Sequence, residues 1–142
     1  MSEVQTNKTI EMSLDDVYQD ILDESNNSLL QKTESINQEY KNGASLSSLA
    51  EKYNVIEVNI IDKTGFIVDS NKSEYIGYDM ASGEQSNEFV TALLKGSESQ
   101  YIQGYRPTSY DDVTFRKYGA IALSDGGFIQ VGYDSSQFRS DI

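Results

Sequence analysis

The sequence predicts an α+β fold, helices packed against an antiparallel sheet, and three observations point to it. From Ile10 to Tyr40 there is no glycine or proline, and apolar residues recur every three or four positions. Beyond Val55 the period changes to that of strands, with "VIEVNIID" and "FIVDS" flanking "KTG". The last two apolar runs are joined by "SDGG", whose Asp125 and Gly126 tolerate the left-handed conformation of a hairpin turn.

The first element is one long amphipathic helix. Ile10, Leu14, Val17, Ile21, Leu29, Ile36 and Tyr40 form its apolar stripe, and the small Ser25 and Thr33 fill the gaps in step. Asn42 and Gly43 stop it. At about 1.5 Å per residue it is roughly 45 Å long, more than a small sheet can cover. Two readings stay open: a scaffold lying on the sheet, or one half of a parallel dimer seam. A short helix follows in "SLSSLAEKY", with Leu46, Leu49 and Tyr53 inward and Ser45 as its cap.

The hairpin around Gly65 places Val58, Ile60, Phe66 and Val68 in the core by alternation. "KSEYIGYDM" reads as a loop, and "SGEQSNEFVTALLKG" as a helix with a capping box between Ser82 and Gln85. Phe89, Val90, Leu93 and Leu94 form its buried stripe, and Gly96 closes it. Three strands complete the chain, around 101–105, 114–123 and 128–133. Residues 1–44 are thus a long helical part and 45–142 the sheet core of what is effectively one domain, as the 142-residue length suggests.

Composition excludes several functions. Eleven basic against twenty-three acidic residues give a net charge of -12, which repels nucleic acid and anionic lipid. With no histidine and no cysteine, a Ser-His or Cys-His nucleophile pair, a thiolate site and the usual zinc ligands are all missing. No acidic pair has a spacing that suggests a task, and no cofactor is implied. No run approaches the roughly 20 apolar residues of a membrane span. The opening "MSEVQTNKTIEMS" lacks a signal peptide's apolar middle. The chain reads as soluble, a description that also fits a piece of a larger membrane protein.

The segments "NIIDKTGFIVDSNKSEYIGYDMASGEQSNEF" and "KYGAIALSDGGFIQVGYD" resemble the PAS-like extracytoplasmic sensor domains called Cache domains. More narrowly, they are similar to those at the N-terminus of bacterial membrane-bound PPM-type serine phosphatases of the stage II sporulation protein E kind. The resemblance covers roughly residues 55–142, and the preceding helix matches the one by which such domains leave the membrane. It implies a five-stranded antiparallel sheet with the long helix on one face. A roof of helix and loops lies on the other, and ligands bind between sheet and roof. Flanking transmembrane helices, a cell-surface location and a phosphatase output outside this segment belong to the same implication. The chain departs from amino-acid-binding Cache domains in having no tryptophan.

One stretch, "YRPTSYDDVTFRKYG", gathers Arg106, Pro107 and Arg116 with Lys117 and three tyrosines, although the chain has a single proline. A guanidinium matches a carboxylate with two parallel hydrogen bonds, so Arg106 and Arg116 are candidate ligands for an anionic metabolite. Tyr101, Tyr105, Tyr110 and Tyr118 would supply apolar walls with hydroxyl tips, joined by Tyr78 and Met80 from the roof loop. Asp111 would receive an ammonium group or hold an arginine. The competing reading pairs the cations with surface carboxylates and makes the tyrosines sheet residues. Asp111 with Asp112 lacks the alternating oxygens and glycine of a calcium loop, so no metal is expected. Pro107 is expected to fix a turn. The expectation is a small-molecule sensor without catalysis of its own, its rival a ligand-free dimerisation module, and an enzyme using an acidic pair ranks last.

Overall fold

The computed structural model describes residues 14–111 and 113–140. Ile10, the side chain of Val17 and Asp112 lie outside that description. Helix α1, Leu14–Lys41, and helix α2, Leu46–Tyr53, precede the sheet, and Ser45 caps α2 by accepting from Ser48 N at 3.2 Å. Strands β1 (Glu57–Ile61) and β2 (Ile67–Ser70) form the expected hairpin. The roof follows: short 3₁₀ turns at Ser73–Tyr75 and Met80–Ser82, then helix α3, Glu84–Phe89, continued by a wider π-helical turn over Val90–Lys95. Strands β3 (Gln100–Ile102), β4 (Arg106–Pro107), β5 (Phe115–Ala122) and β6 (Phe128–Tyr133) return to the sheet, and helix α4, Ser135–Ser140, ends the described chain.

The sheet is antiparallel throughout, in the order β2-β1-β6-β5-β3, with two-residue β4 pairing along β5. β3 and β4 therefore lie end to end on the same edge of β5, interrupted at residues 103–105. Pro107, expected in a turn, sits in that edge strand opposite Phe115, where a missing N–H is tolerated.

Both faces of the sheet are covered. Toward α1 and α2, Val58, Ile60, Ile129, Val131 and Tyr133 meet Leu29, Ile36, Leu46 and Leu49. Toward the roof, Ile61, Ile67, Tyr118, Ala120 and Phe128 meet Met80, Phe89, Val90 and Leu93. Ser25 and Thr33 are fully buried in the α1 stripe, as their spacing required.

Two further expectations need correction. Phe66 and Val68 are 41% and 50% exposed, and Ile67 is buried in their place. The cause is a β-bulge: Ile60 pairs with Asp69 and Ile61 with Ile67, so Val68 is an extra residue that flips the alternation. The capping box is absent as well. Gly83, not Ser82, precedes α3; Ser82 Oγ donates to Asp79 O, and Gln85 turns inward.

Candidate functional site

Period-two alternation puts Glu57, Asn59, Arg116 and Gln130 on the roof side of the three central strands, and all four are buried. Charge cannot be left bare there, so the four bond to one another and to the roof. Arg116 Nη1 donates to Glu57 Oε1 at 2.5 Å and to Tyr75 Oη at 3.0 Å, while Tyr118 Oη donates to the same Glu57 oxygen at 2.7 Å. Glu57 Oε2 accepts from Tyr110 Oη at 2.9 Å and from Asn59 Nδ2 at 2.5 Å. Asn59 Nδ2 also donates to Gln130 Oε1, and Ser70 Oγ to Asn59 Oδ1. Burial, then the Glu57 charge, pushes the Tyr118 and Tyr110 phenols well above the ordinary tyrosine value. Both remain hydrogen-bond donors.

Aromatic packing closes this interior. The Tyr110 ring stacks on Tyr75 with centroids 3.9 Å apart and planes 7° from parallel, and meets Tyr78 edge-on at 5.0 Å. Tyr78 Oη lies 3.3 Å from Ser86 Oγ. Met80, 1% exposed, packs in the roof-side core below.

A second polar group lies at the outer edge of the roof. Glu88 accepts from Tyr101 Oη at 3.0 Å, Gln103 Nε2 at 3.0 Å and Arg106 Nη1 at 2.7 Å. Burial pushes the Glu88 carboxyl up, but the bonds from Gln103, Arg106 and Tyr101 outweigh it and hold its pKa below the ordinary 4.5. Gln85 and Gln103 tie α3 to the strands: Gln85 Nε2 donates to Gln103 Oε1, Gln103 Nε2 to Gln85 O, and Ser109 N to Gln85 Oε1. Beside this tie a cleft of about 250 Å³ is lined by Gly83, Gln85, Arg106, Pro107, Thr108 and Ser109, with one carboxylate, Glu84, at its wall. Thr108 is 1% exposed and its Oγ1 has no hydrogen-bond partner. A larger groove of about 520 Å³ runs outside α3 past Glu84, Glu88, Glu98 and Tyr101.

The residues singled out from the sequence therefore fall into three groups. Arg116, Tyr118, Tyr110 and Tyr78 meet beneath the roof with Met80; Arg106 and Tyr101 meet at Glu88; Tyr105 and Asp111 join neither. Tyr105 is 41% exposed and packs on Phe115 with ring centroids 5.7 Å apart. Asp111 is exposed and folds its own turn, accepting from Val113 N, Thr114 N and Thr114 Oγ1. Lys117 faces the other side of the sheet and bonds Asn26 on α1. Sequence reasoning missed Glu57, the hub of the interior. In "VIEVNIID" the polar residues at 57 and 59 look like the solvent face of a half-buried strand, and only a roof on that face turns them inward.

Comparison with known proteins gives fold but no family. No family model matches the chain, and no curated protein does. Among solved structures, the sensor domain of Escherichia coli DcuS aligns over 85% of this chain and 96% of its own length, at 11% identity and TM-score 0.55. The sensor domain of the Vibrio cholerae histidine kinase DctB aligns over 83% of this chain at 20% identity and TM-score 0.50. An extracellular ligand binding receptor from Desulfohalobium retbaense aligns over 86% at 17% identity and TM-score 0.51. The chain spans 45% of the DctB structure and 24% of the receptor. The fold is that of PAS-like Cache sensor domains.

Proposed function

We propose that this chain is the ligand-sensing part of a transmembrane signalling protein, displayed outside the cytoplasm, and that it binds a small organic acid. The fold likeness to sensor domains supports the class of function. The observation that carries the ligand reading is the cleft at the roof's edge, where the Arg106 side chain is 36% exposed and the buried Thr108 hydroxyl lacks a partner. Glu88 accepts from one guanidinium nitrogen only, Nη1, and a guanidinium has five N–H donors in a fixed fork. A small carboxylate in the cleft would take the remaining donors together with the Thr108 hydroxyl. Glu88, itself held by the Tyr101 hydroxyl, keeps the arginine in place. A serine phosphatase output, carried by a part of the protein outside this segment, is the reading favoured by the sequence resemblance. No helix among the described residues is long and apolar enough to cross a membrane, so anchoring is assigned to flanking segments. The projecting end of α1, where Leu14 is 87% and Tyr18 61% exposed, is the surface we assign to a homodimer.

A ligand acts on such a domain only through its preference for one of two states. Thermal shift against short organic acids, amines and sugars tests the reading. An acid at 100 times its dissociation constant adds about 2.7 kcal/mol of stability to the wild type, and Arg106→Ala and Thr108→Val each lose most of that shift. Equal stabilisation of wild type and Arg106→Ala refutes the cleft assignment. A second reading, a structural module that binds nothing, is favoured by one observation: the space beneath the roof is filled by Tyr110 and Glu57. It prevails if no compound of the panel shifts the melting temperature.

A further inference from the structure

The space between roof and sheet holds a phenol, and it is the protein's own. Tyr110 reaches in from the connection between β4 and β5, and its ring is bound by the three contacts a small aromatic ligand would make. It stacks flat on Tyr75 at 3.9 Å, takes the edge of Tyr78 at 5.0 Å, and donates its hydroxyl to Glu57 Oε2 at 2.9 Å. These contacts come from three separate parts of the fold: the roof turns supply the rings, β1 supplies the carboxylate, and the guest arrives from a different segment. We propose that the Tyr75–Tyr78–Glu57 pocket is a binding seat for a neutral hydroxylated aromatic ring, with Tyr110 as an internal occupant that an external ring of the same chemistry displaces.

Charge balance decides the class. Glu57 is fully buried, and its charge is matched by Arg116 at 2.5 Å, so the interior carries no surplus cation for an incoming carboxylate. An anion placed there would sit beside Glu57 with its charge unpaired, which costs far more than a ring and one hydrogen bond return. A phenol fits because Glu57 Oε2, which already accepts from Asn59 Nδ2, takes a second donor there and no further charge. The seat is distinct from the Arg106 cleft, where an acid is expected; Ser109 borders that cleft and is the chain neighbour of Tyr110. The inference rests on the sensor reading only for its use in signalling, because exchange of the ring is measurable without a physiological ligand.

The probe is p-cresol, the tyrosine side chain itself, with toluene and benzoate as controls, and the proteins are wild type, Tyr110→Ala and Tyr110→Phe. Titration calorimetry and thermal shift are expected to give saturable p-cresol binding to Tyr110→Ala, at least about tenfold tighter than toluene, because the bond to a charged carboxylate is worth that factor. Benzoate is expected not to bind the seat. Wild type binds p-cresol at least about tenfold more weakly than Tyr110→Ala, since its own ring competes. Should Tyr110→Ala fail to fold, Tyr110→Phe keeps the ring and loses the hydroxyl, and is expected to bind p-cresol more tightly than wild type. The inference is overturned if Tyr110→Ala prefers toluene or benzoate, or if p-cresol binds neither variant better than wild type. A seat that exchanges p-cresol in a protein that no organic acid stabilises would leave this inference standing and remove the Arg106 cleft.

Discussion

Glu57 is 0% exposed, and its ionised form is tolerable only because Arg116, Tyr118, Tyr110 and Asn59 all donate to it. Neutralising one partner of such a pair strands the other. Glu57→Gln is therefore expected to cost about 3–5 kcal/mol in urea denaturation, whereas adding Arg116→Met recovers part of the loss, because it removes the stranded cation while the introduced amide oxygen still accepts from the neighbouring donors. Glu88 gives a pH test. Its folded pKa is depressed, so its contribution is present above the ordinary value of 4.5 and disappears as pH falls through the lower folded value. Between pH 6 and pH 3 the stability gap between wild type and Glu88→Gln is expected to shrink, as read by melting temperature; a constant gap would exclude this linkage. Both arginines of the candidate site were legible in the sequence, because arginine is so scarce here. Their carboxylate partners were not: Glu57 lies 59 positions from Arg116, and Glu88 lies 18 from Arg106.

The contact of α1 with β5 depends on a glycine. A Cβ at Gly119 would lie 3.0 Å from Leu29 Cγ, so the helix sits as close to the strand as side-chain volume allows. Gly119→Ala is expected to cost about 1–3 kcal/mol by overpacking and Leu29→Ala about 2–5 kcal/mol by cavity formation. The double variant should cost less than the sum, because the truncated leucine makes room for the new methyl. Gly127 is less forgiving, since a Cβ there would lie 2.1 Å from the carbonyl oxygen of Ile61. Helix periodicity and turn chemistry were readable from local sequence and placed α1, α2 and both hairpins. The bulge at Val68 was not, because its cause is a long-range pairing: Asp69 must face α1, where Tyr40 donates to it at 2.7 Å. Burial, then Asp69, pushes the Tyr40 phenol up to about 12. The capping box failed for a similar reason, as Gln85 gains more by bonding Gln103 and Ser109 than by capping its own helix.

At the scale of the whole molecule, α1 as described is 28 residues long, about 42 Å, and among the described side chains its first buried positions are Ser25 and Leu29. Deleting residues 1–20 is expected to change stability by less than about 1 kcal/mol, a few degrees in melting temperature. If the assigned dimer forms, sedimentation at several concentrations will show that the same deletion abolishes it. A shortened chain that still dimerises would move the interface elsewhere. The sequence by itself determined the order of the main elements, the helical stripe, the hairpins and the α+β class, because each is written in patterns within a few residues; the edge strand β4 and the last helix were not read from it. Only the tertiary structure decided which strand face is interior, and with it the site. A polar residue in an alternating strand has the same local signature whether water or a roof covers it, and the roof comes from residues distant along the chain.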